Sequence, residues 1–206
     1  MQSLVALLKI ADRRLPGPSP GFERAHVLLT FLTIGESDGI GRHALAAHSG
    51  LGDGSVRTVL KKLRDEGYVQ VDTAGCHLTD EGRRVFHSTR RKLSTSVSLK
   101  GSSLTVGTFQ TALAIRGEAL SVGSGIEQRD SAVRLGAAGA TTYFIKGDKF
   151  TVPGGSADCE REYPSPAWQA LRRDLNPENG DAVVLCGASK EIAATLGALA
   201  AALTLL

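Results

Sequence analysis

Residues 44–69 read ALAAHSGLGDGSVRTVLKKLRDEGYV, and the order of residue types in this stretch decides the fold of the front of the chain. The pattern predicts a short helix over 42–49, a glycine-marked turn, a longer basic helix over 52–66 and a strand from Tyr68 onward. At 100° per residue, Val56, Val59, Leu60 and Leu63 share one face of the longer helix. Gly54, Thr58, Lys61 and Asp65 lie opposite, flanked by Arg57 and Lys62. One face must pack on neighbouring helices, and the other offers hydroxyls and cations, as a helix lying in a DNA major groove requires. Gly67 suits the left-handed exit of such a helix.

Working outward, residues 22–34 carry Ala25, Leu28, Leu29 and Leu32 at helical spacing, and Ser37-Asp38-Gly39 ends that run. Residues 3–14 show a further apolar stripe through Leu4, Val5, Leu7 and Leu8, followed by the stiff linker PGPSPG at 16–21. Downstream, Tyr68-Val69-Gln70-Val71-Asp72 alternates as a half-buried strand does. Thr73-Ala74-Gly75 is a turn, Cys76 to Thr79 a return strand, and Thr79 or Asp80 caps a helix reaching Lys92.

Base-edge contacts usually come from the N-terminal half of a recognition helix, which selects Ser55, Arg57, Thr58 and Lys61. Arg57 can pair bidentately with a guanine edge. Lys61 and Lys62 suit phosphates, and His77, Arg83 and Arg84 are candidates for flanking contacts. GSVRTVLKKLRDEGYV resembles the second and third helix signature of winged-helix regulators of the GntR and MarR kinds. Leu78-Thr79-Asp80-Glu81-Gly82-Arg83 resembles their "L-T-x-x-G-R" helix start. The resemblance covers residues 22–92 and implies a winged helix that binds double-stranded DNA. Two departures point to a lighter contact. Asp53 stands near the groove entrance, where it would repel phosphate, and the turn at 73–75 has no cation.

Composition agrees with a globular chain of 206 residues, 42% hydrophobic and 22% charged, large enough for one large domain or two small ones. The net charge of +3 is uneven: residues 22–92 hold eleven Lys/Arg against nine Asp/Glu, and residues 101–206 hold nine against eleven. A basic front and a slightly acidic back fit a nucleic-acid module joined to something else. Cys76, Cys159 and Cys186 are far apart, so neither a zinc ribbon nor a disulfide framework is expected, and reduced thiols imply a cytoplasmic protein. The apolar run at 4–8 is too short for a signal peptide, and the apolar tail at 192–206 falls short of a membrane span.

The serine-rich stretch 94–103 is the expected linker to a second domain over 104–206. There the pattern predicts strands within 104–115, a helix over 126–135, and a hairpin of 141–146 and 149–152 about Gly147-Asp148. A helix opens at Ser165-Pro166, residues 181–186 form a buried strand, and Ser189 caps a final helix. No Walker loop, HExxH or GxSxG is present, so no catalytic residue, metal or cofactor is assigned. Two glycine turns that open helices could hold an anion: Gly125 with Arg129 and Asp130, and Gly187 with Ser189. This domain is similar to an archaeal family of winged-helix proteins with an uncharacterised C-terminal domain.

The expectation is therefore an α+β or α/β two-domain chain, a winged helix-turn-helix followed by a small α/β domain. Its function would be that of a DNA-binding transcription regulator, its second domain dimerising or sensing a small-molecule effector. The first and last apolar helices are candidate dimer elements. The alternatives are a ligand-binding protein or enzyme with an accessory winged helix, and a protein–protein adaptor.

Overall fold

The computed structural model describes residues 2–12 and 21–206. Two compact units divide the chain, residues 1–90 and 91–206. The proline–glycine linker expected at 16–21 lies outside the described residues apart from Gly21.

The first unit holds α1 (Gln2–Asp12), α2 (Arg24–Gly35), α3 (Arg42–Ser49), α4 (Asp53–Asp65), β1 (Val69–Asp72), β2 (Gly75–Leu78) and the start of α5 (Asp80–Lys92). The helices over 42–49 and 52–66 are where their periodicity put them. Gly50, at φ 68, closes α3, and Gly67, at φ 75, follows α4. Val56, Val59 and Leu63 of α4 meet Val27, Leu28, Phe31 and Leu45 in one core without solvent contact. Phe31 makes edge contacts with Tyr68 and Phe86, with ring centroids 6.3 and 6.5 Å apart. α1 is part of this unit: Leu4, Leu7, Leu8 and Ile10 are buried, and Asp12 pairs with Arg24 at 2.5 Å. The face with Leu4, Leu7, Leu8 and Ile10 is thus covered within the unit, and Val5 stays exposed.

The second unit is built on one antiparallel sheet in the order β3-β4-β7-β5-β6. The strands are β3 (Val97–Lys100), β4 (Phe109–Ile115), β5 (Gly139–Lys146), β6 (Lys149–Thr151) and β7 (Ala182–Ala188). α6 (Ile126–Arg134) and α9 (Glu191–Leu203) cover one face, and α7 (Cys159–Glu162) and α8 (Ala167–Leu175) pack towards the other. β7 lies at the centre and every residue of it is buried, which explains its unbroken apolar run. The expected linker at 94–103 instead contains β3, which pairs with β4 from Val97↔Ala112 to Lys100↔Phe109. Serine-rich composition masked this strand, because only the alternate pair Val97 and Leu99 on it faces the core. α9 packs its small residues on the sheet, so its apolar surface is also covered within its own unit. Ser189 does not cap α9: the N-cap is Lys190, and Ser189 is exposed.

Candidate nucleic-acid interface

α4 owes its direction to its apolar face, and its polar face then becomes one wall of a cleft. The β1–β2 hairpin is the other wall. It is fixed by a bridge to Ile40, through Cys76 N–H donating to the Ile40 carbonyl at 2.9 Å and the reverse bond at 3.3 Å. Gly75 permits this approach: it sits at φ +128, and a Cβ there would lie 2.9 Å from the Ile40 backbone. The cleft encloses about 610 Å³. Arg42, Arg57, Lys61 and Arg64 line it, and Asp72 of the hairpin is its one acidic residue.

Arg57, Lys61 and Arg64 are exposed and, among the described residues, take no hydrogen bond or ion pair. They stand on one side of α4 at the spacing i, i+4, i+7, a row of cations on one helix face. Thr58 is half-buried and bonds back to the Gly54 carbonyl at 3.0 Å. Ser55 is half-buried, its hydroxyl lying against Gly21. Neither lines the cleft, so Arg57 and Lys61 are the two of the four expected groove residues that it brings together. Arg64 and Arg42 were missed in the sequence. Arg64 continues the Arg57–Lys61 row, a signal that was readable. Arg42 comes from the start of α3 and is near only through the fold.

The acidic residues are occupied at home. Asp53 lies 3.5 Å from Arg42 and 3.4 Å from His43, within the first turn of α4, where a carboxylate also suits the helix dipole. Its charge is answered within the chain, so the expected repulsion of phosphate is reduced. Asp72 accepts bonds from Ala74 N–H at 2.8 Å and Gly75 N–H at 3.2 Å and contacts His77 at 3.2 Å. The Ala74 N–H above all holds its carboxyl below the usual range.

Four sequence-based candidates lie outside the cleft. Lys62 is buried, donates to the Ile10 carbonyl of α1 at 2.9 Å and stands 5.3 Å from the Phe22 ring centre. It ties α1 to α4, because its position on the helix turns it inward. His77 packs against Gly39 and Asp72 on the hairpin. Arg83 donates to the Leu78 carbonyl at 2.9 Å and pairs with Asp80 at 2.7 Å, and Arg84 pairs with Glu81 at 2.5 Å. None of the four lines the cleft. The Leu-Thr-x-x-Gly-Arg run is a helix cap with Thr79 in the expected capping position: Gly82 N–H donates to the Thr79 hydroxyl at 3.0 Å, and that hydroxyl donates to the Gly67 carbonyl at 2.6 Å.

The expected anion turns do not converge. Gly125 is the left-handed N-cap of α6 at φ 78, and the exposed Arg129 and Asp130 pair with each other at 2.9 Å. Gly187 is a buried packing position, because a Cβ there would stand 1.7 Å from the Val106 carbonyl oxygen. Cys186 is buried under α9, and desolvation pushes its thiol up to about 12, which removes the thiolate that redox chemistry needs.

Among the described residues, no cluster of His, Cys, Asp and Glu is placed to hold a metal ion, and no helix is long and apolar enough to cross a membrane. A hypothetical protein from Pyrococcus horikoshii OT3 has a similar structure, with TM-score 0.69 and 23% identity over 86% of this chain and 89% of that one, a likeness of fold. A comparison with curated proteins finds no match. Residues 106–205 match a family described as a domain of unknown function (DUF4443). Residues 23–95, which contain the whole cleft, match the CggR N-terminal DNA binding domain, so the front of this chain is similar to the DNA-binding domain of a regulator.

Proposed function

We propose that the chain is a DNA-binding transcription regulator of the winged-helix kind, with α4 in the major groove and the β1–β2 hairpin as its wing. The observation that carries this reading is the row Arg57, Lys61 and Arg64. These three cations lack partners among the described residues and share a cleft with the hairpin, inside the segment that resembles a DNA-binding domain. Arg57, in the N-terminal half of α4, is assigned to a base edge, and Lys61 and Arg64 to phosphates. With no cation at the hairpin turn, Arg42 and Arg64 add to the charge that Arg57 and Lys61 bring to the cleft.

The second domain is read as non-catalytic, dimerising the protein or sensing a small molecule, in a cytoplasmic protein of archaeal type. A homodimer follows from the mechanism, since two recognition helices must reach half-sites about one helical turn apart. Because the apolar faces of α1 and α9 are covered, the exposed apolar Ile126 and Val133, seven residues apart on α6, are read as the dimer surface.

Fluorescence anisotropy on genomic fragments recovered by footprinting tests the DNA reading. Arg57→Ala with Lys61→Ala should abolish specific binding, and unchanged affinity would overturn the assignment of the groove face. Sedimentation of Val133→Glu against the parent chain tests the dimer, and a monomeric parent would refute it.

A further inference from the structure

A second cavity opens in the C-terminal unit, on the sheet face opposite α9. It encloses about 350 Å³, within the range of small-molecule sites. Five elements build it. Thr141 and Tyr143 project from β5 on the same face, because alternate strand residues point the same way. Ser103 comes from the β3–β4 connection, Ser156 from the loop after β6, Cys159 from α7 and Trp168 from α8.

Two properties of this lining restrict what it can hold. Its walls are aromatic: Tyr143 and Trp168 are almost wholly buried, their ring centres 5.3 Å apart, and both pack on Phe150. The indole N–H donates to the Tyr163 carbonyl at 2.9 Å, which fixes the Trp168 ring and leaves the Tyr163 side chain exposed at the rim. The lining is also uncharged, with no Asp, Glu, Lys, Arg or His among the described residues that form it. Its polar groups are hydroxyls, each able to donate and accept, and a thiol. Burial raises both the Tyr143 phenol and the Cys159 thiol above their usual ranges, so both stay neutral at physiological pH. Rigid aromatic walls favour a flat ring, hydroxyls favour a ring with heteroatoms at its edge, and the absence of charge disfavours an ion, which would lose its hydration without a counter-charge.

We infer that this cavity is a binding site for an uncharged planar heterocycle of nucleobase size, packed in the corner that the edge-to-face rings of Trp168 and Tyr143 form and hydrogen-bonded by Ser103, Thr141 and Tyr143. The inference rests on the sensing role proposed for this domain and gives it a site. The site is separate from the Gly125 and Gly187 turns, which do not line the cavity.

Trp168 is the chain's only tryptophan, so its fluorescence in the full-length protein reports occupancy directly. Adenine and nicotinamide serve as neutral probes and adenosine monophosphate as the charged comparison. Saturable quenching by a neutral probe, with a dissociation constant of about 1 mM or tighter, is expected. Adenosine monophosphate should bind at least about tenfold more weakly. Ser103→Phe, at an exposed rim position, should fill the mouth and remove the quenching. Tyr143→Phe keeps the ring and should weaken binding about tenfold by losing one hydrogen bond. No saturable quenching by either neutral probe would overturn the site, as would equal quenching in the folded Ser103→Phe protein or equal binding of adenosine monophosphate. DNA affinity measured with and without adenine separates the two ideas. Saturable quenching with unchanged DNA affinity leaves the site standing and removes the sensing role.

Discussion

Lys61 and Lys62 are adjacent, carry the same charge, and are predicted to do opposite things. Lys62→Met keeps the long apolar stem and deletes the ammonium group. The Ile10 carbonyl then loses its donor, at a cost of about 1–3 kcal/mol for a buried acceptor left unpaired. The contact with Phe22 is lost as well, worth about 0.5–2 kcal/mol. Removing a desolvated charge offsets part of this, since burying an ammonium is itself costly. The net expectation is a loss of about 2 kcal/mol, equivalent to roughly 10 °C in the melting of a unit of this size. Hydrogen exchange should localise the loosening to α1 and the last turn of α4. Lys61→Met removes an exposed cation, so stability should stay within about 0.5 kcal/mol. The slope of log affinity against log salt should then fall in magnitude by about 0.9, one phosphate contact. Circular dichroism melts of the full chain and a salt titration of DNA binding measure both. The reasoning fails if Lys62→Met flattens the salt slope without destabilising the protein, or if Lys61→Met destabilises it and leaves the slope alone.

Three further outcomes follow from the geometry. Gly75→Ala places a Cβ 2.9 Å from the Ile40 backbone at φ +128; it should cost about 1–3 kcal/mol, raise exchange across residues 69–78 and weaken DNA binding, and an unchanged melt would contradict the close approach. His26 accepts the Glu23 N–H at Nδ1, 3.1 Å away, and burial holds its pKa below 6.5. The unfolded chain therefore takes the proton first, so this contribution to stability is complete above pH 6.5 and is lost as pH falls through the lower folded value. His26→Gln should remove that part of the pH dependence in denaturant titrations, and an identical pH profile would contradict it. Asp181 is buried and joins Arg116 at 2.7 Å to the backbone N–H groups of Gly117 and Glu178, each at 2.9 Å. Asp181→Ala should destabilise the second unit by about 3–5 kcal/mol in urea unfolding followed by Trp168 emission, with Asp181→Asn milder, and equal stability of all three proteins would refute the network.

Most of the first unit was legible because its signals are local. Helical periodicity, glycine at the helix exits and strand alternation depend on residues within a few positions of one another, and they placed α2 to α5 and the hairpin. In the second unit, β7 and the hairpin about Asp148 were equally plain, the latter because Asp148 takes the positive φ of 65 that such a turn demands. β3 was hidden because a four-residue edge strand with only Val97 and Leu99 turned to the core reads as serine-rich loop. The antiparallel order of the sheet was also beyond the sequence, since strand neighbours are chosen by long-range pairing.

By itself, the sequence determined which face of α4 is apolar, that a hairpin follows it, and that Arg57 and Lys61 lie on the polar side. Tertiary structure decided what each charge is for. Lys62 sits at the edge of the apolar stripe, and only the docking of α1 puts a carbonyl and an aromatic ring over it. Arg83, equally basic in sequence, is drawn to Leu78 and Asp80 by the turn before α5. The aromatic cavity has no sequence signature, because Ser103, Tyr143, Cys159 and Trp168 are gathered from segments well apart along the chain. Periodicity fixes a face because it depends only on helix or strand geometry. Partnership and cavities depend on which faces meet, and that is settled by packing across distances the local pattern does not encode.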